Sequence, residues 1–194
     1  MYILLNTYSL GGGENMEKED SLNKLKNKIN NIPNFPKPGI HFRDITPILT
    51  DSESFNNTIT LLKEHYKSKN IEAVVAVEPR GFIVGASLAV ALGAAFIPIR
   101  RKGKSNMTLS KEYGLDYRLN ILEIPNNSIK RGERVLFFDD VLAGGATAKT
   151  VIKSIEKTGA EIVGLSFLIE LTSLKARSEL KDYEVHSLIK FKDR

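Results

Sequence analysis

Residues 134–150 read Arg-Val-Leu-Phe-Phe-Asp-Asp-Val-Leu-Ala-Gly-Gly-Ala-Thr-Ala-Lys-Thr. An apolar run, 135–138, ends in two adjacent acids, Asp139 and Asp140. A loop of small residues follows (Ala143, Gly144, Gly145, Ala146 and Thr147) and opens an amphipathic helix. Apolar strand, tight turn and helix in that order form the repeating unit of a parallel sheet covered by helices. Glycines let backbone N–H groups close around an anion, and the helix N-terminus that follows adds its dipole. Carboxylates just before such a loop stand about one sugar length from the anion and can accept from two vicinal hydroxyls. The stretch therefore predicts a site for a phosphorylated sugar. Taken alone, it is also compatible with an ordinary strand–helix turn bearing acids.

Outward from this stretch the alternation continues. Residues 71–77 are a β-rich apolar run without polar interruption, as expected for a strand covered on both faces. Residues 82–92 read as helix, 95–99 as strand, 146–157 as helix and 161–169 as strand. A short helix over 173–180 and a strand over 184–189 close the chain. Upstream, Leu22, Leu25, Ile29 and Ile32 recur at helical spacing until Pro33, Pro36 and Pro38 end the helix. A second helix spans 53–68, with Phe55, Ile59, Leu62 and Tyr66 roughly on one face. Residues 100–124 are polar and irregular. The pattern predicts an α/β fold, a central, mostly parallel twisted sheet flanked by helices, with ligands at the C-terminal ends of the strands.

Composition narrows the chemistry. A chain of 194 residues is one domain with a sizeable core. It has no cysteine, which excludes disulfides and thiolate metal sites. Its histidines, His41, His65 and His186, are too scattered to suggest a metal cluster. The net charge of +5 comes from bases interleaved with acids, which argues against nucleic acid as partner. The one dense basic group, Arg100, Arg101, Lys102 and Lys104, suits a small polyanionic substrate instead. Residues 1–10 are too short and unflanked to anchor in a membrane, so a cytoplasmic location is expected. Gly11-Gly12-Gly13 should interrupt regular structure. Residues 1–19 are thus expected as a flexible tail, with Met16 a candidate start, and residues 20–194 as the functional domain.

Four further segments fall at the predicted strand ends or before the first strand. They are Phe-Pro-Lys-Pro-Gly-Ile-His-Phe-Arg-Asp-Ile-Thr-Pro at 35–47, Val-Glu-Pro-Arg-Gly-Phe at 77–82, Ile-Arg-Arg-Lys-Gly-Lys at 99–104, and Glu-Leu-Thr-Ser-Leu-Lys-Ala-Arg at 170–177. With the diacid loop, in this order over residues 22–191, the chain resembles the type I phosphoribosyltransferases, and among them the adenine-using branch. The resemblance implies a sheet with a small N-terminal hood and a flexible flap. It also implies a reaction, adenine plus 5-phosphoribosyl 1-diphosphate (PRPP) giving AMP and pyrophosphate. Magnesium would be required, and the enzyme would be a homodimer with no nucleic-acid or membrane partner. A phosphoribosyltransferase for another purine, or a diverged PRPP- or nucleotide-binding regulator, are the alternatives.

The same resemblance implies residue roles. Asp139 and Asp140 hold the ribose hydroxyls, directly or through magnesium. Ala143, Gly144, Gly145, Ala146 and Thr147 hold the 5′-phosphate, with Gly144 standing where relatives carry Thr or Ser. Glu78, Pro79, Arg80 and Gly81 form the pyrophosphate loop, with Arg80 as its charged, catalytic contact. Pro79 replaces the usual Ala or Ser, and the Glu78–Pro79 bond is expected to be cis. Arg100 and Lys104 reach pyrophosphate, in part across the dimer interface. Ile40, His41 and Phe42 line the base from the hood, and Leu171 meets its opposite side. His41 serves as wall rather than as catalyst. In the flap, counting back without a gap from Leu122-Glu123-Ile124 sets Asp116 where relatives carry the catalytic Glu, and Arg118 where they carry Gly. A second register would use Glu112-Tyr113-Gly114.

Overall fold

Among the described residues, the seven strands that follow residue 72 form one sheet, with Ser110–Tyr113, Leu122–Pro125, Ala95–Arg101, Ala73–Val77, Arg134–Leu142, Glu161–Leu171 and Val185–Phe191 side by side in that order. The computed structural model describes residues 11–101, 110–113, 122–125 and 127–192. These fall into two units, residues 1–57 and 58–194.

The first unit holds α1 (Gly11–Lys28), β1 (Asn30–Pro33), β2 (His41–Asp44) and α2 (Thr46–Leu49), and it contains the start of α3 (Ser52–Tyr66). Helix α1 begins at Gly11, where the glycines were expected to interrupt it. Glycine costs about 1 kcal/mol in a helix interior, but at the first turn there are few intrahelical bonds to weaken. The helix ends at Lys28, so Ile32 is not its last apolar position. It lies instead on β1, opposite Phe42 of the antiparallel partner β2. Pro33 closes that strand opposite His41, at an edge where a missing N–H is tolerated. The connection turns through Asn34 (φ 58°) and Gly39 (φ 82°), and the Gly39 N–H donates to Asn34 Oδ1 at 2.9 Å.

The second unit continues α3 and adds β3 (Ala73–Val77), α4 (Arg80–Leu92), β4 (Ala95–Arg101), β5 (Ser110–Tyr113), β6 (Leu122–Pro125), β7 (Arg134–Leu142), α5 (Ala146–Glu156), β8 (Glu161–Leu171) and β9 (Val185–Phe191). Strand β3 pairs in parallel with β4 on one side and β7 on the other. Strands β8 and β9 extend the parallel order outward from β7. Every residue of β3 is buried, which is why its sequence lacks alternation. Val75, Val77, Phe137, Val151 and Ile155 belong to one core cluster that joins the sheet to α5. On the other face α4 comes so close that a Cβ on Gly85 would stand 2.8 Å from Ala76 Cβ, so glycine is required there. Helices therefore cover both faces, and the β3–α4–β4 and β7–α5–β8 crossovers run in opposite directions from the β3–β7 border. That divergence is the topological switch point at which such sheets open a ligand crevice.

Three further expectations need correction. Residues 100–124 are not wholly irregular: β5 and β6 add an antiparallel pair beside β4. Strand β7 does not stop at Phe138 but runs through Asp139 and Asp140 to Leu142, because β8 stays paired with it as far as Glu170. The helix expected over 173–180 is two single 3₁₀ turns, Thr172–Leu174 and Ala176–Glu179, interrupted by Lys175 at φ 51°. Lys104, Asp116 and Arg118 lie outside the described residues. Among the described residues, no helix is long and apolar enough to cross a membrane.

Candidate active site

Two adjoining strand ends build the centre. Strand β3 stops at Val77, and the chain turns through Glu78 and a cis Glu78–Pro79 bond, as expected, into α4. The Glu78 N–H donates to Ile99 O of β4 at 3.1 Å, which fixes the start of the turn. Gly81 then passes Asp139 closely enough that a Cβ would lie 3.1 Å from Asp139 Oδ1. Arg80 Nε lies 2.7 Å from Asp140 Oδ2. The proposed pyrophosphate loop and the two acids are thus in direct contact.

The acids are unequal. Asp140 is buried, and Asp139, whose Oδ1 accepts the Asp140 N–H at 2.9 Å, is partly exposed. Burial pushes the Asp139 carboxyl well above the usual carboxylate range, and the adjacent Asp140 charge pushes it further. Burial also raises Asp140, against the opposing pull of the Arg80 guanidinium. One guanidinium beside two carboxylates leaves the centre short of positive charge. Hydroxyl donors and a divalent cation are the groups that such a pair accepts.

Arg100, exposed at the end of β4, stands 4.0 Å from Glu78 Oε2, with its guanidinium 5.7 Å from the Phe82 ring centroid. It is therefore on the same side as the Glu78–Gly81 turn. Beyond β7, Gly144, Ala146 and Thr147 are exposed, whereas Gly145 is buried, with φ 81°, as the N-cap of α5. No side chain caps α5 and no acid lies in its first turn, so its leading N–H groups suit an anion. Leu171 ends β8, half-buried and paired with Phe191.

The hood residues belong to the first unit. Ile40 is 45% exposed, an unusual setting for a large apolar side chain. His41 is exposed, with Nδ1 3.2 Å from Asn31 Oδ1. Phe42 meets Phe35 edge to face at 5.2 Å. The partner of the His41 ring is thus an amide, not a carboxylate.

One feature of this region has no counterpart in the sequence reading. Glu170, buried at the end of β8, is gripped by both arms of the Arg177 fork. A signal existed: an acid at the end of a long apolar strand needs a cation, and Arg177 is the next arginine.

A parallel sheet that opens at its switch point onto an anion-ready helix, two acids and a basic turn defines a protein that handles sugar phosphates. The family described as phosphoribosyl transferase domain matches residues 45–193. The adenine phosphoribosyltransferase of Clostridium novyi (strain NT) is 48% identical over 168 residues, 86% of this chain and 98% of that relative. The crystal structure of adenine phosphoribosyltransferase from Rhodothermus marinus superposes with a TM-score of 0.82 at 42% identity, covering 89% of this chain and 99% of that one. The Saccharomyces cerevisiae enzyme, complexed with an imino-altritol bisphosphate and adenine, gives 0.78 at 33% identity over 88% and 99%. The chain belongs to the phosphoribosyltransferase family, in its adenine phosphoribosyltransferase branch.

Proposed function

We propose that this protein transfers the phosphoribosyl group of PRPP to N9 of adenine, giving AMP and pyrophosphate in purine salvage. The observation that carries this reading is the Arg80–Asp140 contact, which joins a pyrophosphate-type turn to a diol-type acid pair at the switch point. Near-full-length identity to adenine phosphoribosyltransferases supports the choice of base.

Asp139 and Asp140 accept from the ribose hydroxyls. Ala143 to Thr147 surround the 5′-phosphate with backbone N–H groups at the start of α5. The C1–oxygen bond of PRPP breaks with its electron pair leaving on pyrophosphate. Arg80, Arg100 and Lys104 neutralise the charge that develops there. The N9 lone pair forms the new bond to an oxocarbenium-like C1, and a flap carboxylate, Asp116, takes the purine proton. By the family resemblance, Ile40, His41, Phe42 and Leu171 contact the base, with stacking worth roughly 1–3 kcal/mol. Backbone groups that accept from a 6-amino group and donate to N1 discriminate against 6-oxopurines.

The acids also fit magnesium. Among the described residues no group of three or more His, Cys, Asp or Glu side chains could hold a metal alone. Two carboxylates short of positive charge match the usual magnesium arrangement, in which one or two protein carboxylates share the ion with substrate phosphates and water. When bound, it would supply charge neutralisation for the leaving pyrophosphate.

A homodimer is part of the proposal. After Arg80, helix α4 carries no charged residue, and Ile83 and Val90 are 45% and 82% exposed. A helix apolar on all sides is normally covered, and a second copy would cover it beside Arg100. Sedimentation of wild type against Val90→Glu tests this, with the variant expected as monomer.

The reaction is tested with labelled adenine, PRPP and magnesium. AMP and pyrophosphate should form in equal amounts, and chelation should stop the reaction. Hypoxanthine and guanine should be at least about a hundredfold poorer, since mismatched buried polar groups discriminate strongly. Absence of AMP formation would overturn the reading.

A further inference from the structure

Outside the residues assigned above, Arg177 uses all three of its guanidinium nitrogens in hydrogen bonds within the second unit. Its Nε donates to Glu170 Oε1 at 2.8 Å and its Nη2 to Glu170 Oε2 at 2.8 Å. Nη1 donates to Val185 O at 2.8 Å, and Nη2 reaches Ser187 Oγ at 3.4 Å. The 3₁₀ turn Ala176–Glu179 is thereby tied to the end of β8 and to the beginning of β9. Glu170 is buried, and the Arg177 guanidinium holds its carboxyl below the usual carboxylate range. A buried acid gripped by a bidentate fork has one permitted geometry, so the turn has one permitted place.

What that turn presents to its other side is Ala176, itself 4% exposed. A Cβ on Gly145 would lie 3.4 Å from Ala176 Cβ and 3.8 Å from Ala176 O. Gly145 is the left-handed residue that aims the first N–H groups of α5. The same turn also sends Glu179 to Lys149, one turn into α5, although both side chains are largely exposed and add little energy. Ala176 is thus the neighbour that faces Gly145 at the start of α5, and Arg177, next in the chain, fixes where Ala176 stands.

We infer that Arg177, locked by Glu170, is a positioning residue for the 5′-phosphate loop, acting through Ala176 on Gly145. The inference rests on the phosphoribosyl reading of that loop. The Arg177 guanidinium is committed to Glu170, Val185 O and Ser187, so it acts on the loop only through Ala176. Its effect is to keep the loop N–H groups within the tolerance that anion binding demands, where about 1 Å of misplacement can cost roughly a hundredfold.

The test uses the full chain and two ligands that need the loop, AMP and ribose 5-phosphate, with titration calorimetry alongside steady-state kinetics. Arg177→Lys keeps the charge but cannot fork, and Ala176→Gly removes only the supporting methyl. Each should weaken both ligands about tenfold and raise the KM for PRPP in step, as expected for a small displacement of binding groups. The KM for adenine should stay within about twofold, and the double variant should be no worse than the poorer single one. Unchanged ligand affinity in Ala176→Gly would overturn the inference even if Arg177→Lys failed to fold. So would an equal loss for adenine, or additive losses in the double variant. Wild type that binds AMP but makes none would overturn the proposed reaction and leave this inference to the variants. Wild type that binds neither phosphate ligand would overturn the inference.

Discussion

Arg80 and Asp140 form an ion pair, Nε to Oδ2 at 2.7 Å, between the turn after β3 and the end of β7. The arginine proposed to meet pyrophosphate is oriented by the acid proposed to meet ribose. Removing either side should therefore disturb both ends of PRPP. Arg80→Ala should lower kcat/KM for PRPP by about 10²–10³, the usual loss for one group aimed at developing negative charge. Asp140→Asn should raise the KM for PRPP much more than that for adenine. Steady-state kinetics with each substrate varied in turn checks both, and normal PRPP kinetics in Asp140→Asn would sink the diol-reader role.

Asp139 should show a trade-off between stability and activity. Its carboxyl is pushed upward by burial and by Asp140. A carboxylate with a raised folded pKa binds its proton more tightly folded than unfolded. Its ionised form therefore costs stability above the folded pKa, and the cost disappears as pH falls below the unfolded value. Asp139→Asn should raise Tm near neutral pH, by about 2–4 °C for each kcal/mol relieved, with no gain in strong acid. The amide oxygen can still accept the Asp140 N–H, so the backbone contact survives. PRPP use should nevertheless collapse. Asp140→Asn should not gain stability to the same degree, because it removes the negative charge that pairs with Arg80. Thermal melts of both variants across pH decide the point.

The parallel strands were legible because burial on both faces removes alternation from their sequence, as in β3 and the first half of β7. Strands β1, β2, β5 and β6 were not. They are four residues each, and β1, β2 and β5 are largely polar, so neither period nor propensity marks them. The motifs at Glu78–Gly81 and Asp139–Thr147 were readable one by one, since each needs a particular local chemistry. Their pairing through Arg80 and Asp140 depends on β3 and β7 being neighbours, which no local signal specifies. In Gly144-Gly145, composition cannot tell which glycine takes the left-handed conformation.

That difference between the glycines gives opposite outcomes. Gly145 has φ 81° and is backed by Ala176. Gly145→Ala should be strained and should weaken PRPP. Gly144 is outside the left-handed region, and a Cβ there meets nothing within 4 Å. Gly144→Thr should therefore fit and place a hydroxyl at the phosphate. A hydrogen bond to a charged group is worth about 1.5–3 kcal/mol, part of which water already supplies. The KM for PRPP should fall about three- to tenfold, with adenine barely affected. Unchanged PRPP affinity in a folded Gly144→Thr enzyme would show that the hydroxyl is irrelevant.

The flap acid is the remaining choice. Glu112 lies on β5, in register with Glu123 of β6, and Glu123 is in turn in register with Arg100 of β4. A residue committed to a paired strand is a poor candidate for a group that must close over the base, which favours Asp116. Asp116→Asn should cut kcat by about 10²–10⁴, the range for losing a general acid–base group, with little change in the KM for PRPP. Glu112→Gln should stay within about threefold of wild type, as expected of a substitution away from the reacting groups. Asp116→Glu restores the longer carboxylate of relatives and should keep or raise kcat. Single-turnover measurements separate chemistry from product release in each variant. A large loss in Glu112→Gln with a near-normal Asp116→Asn would transfer the role to Glu112 and reverse the register chosen for the flap.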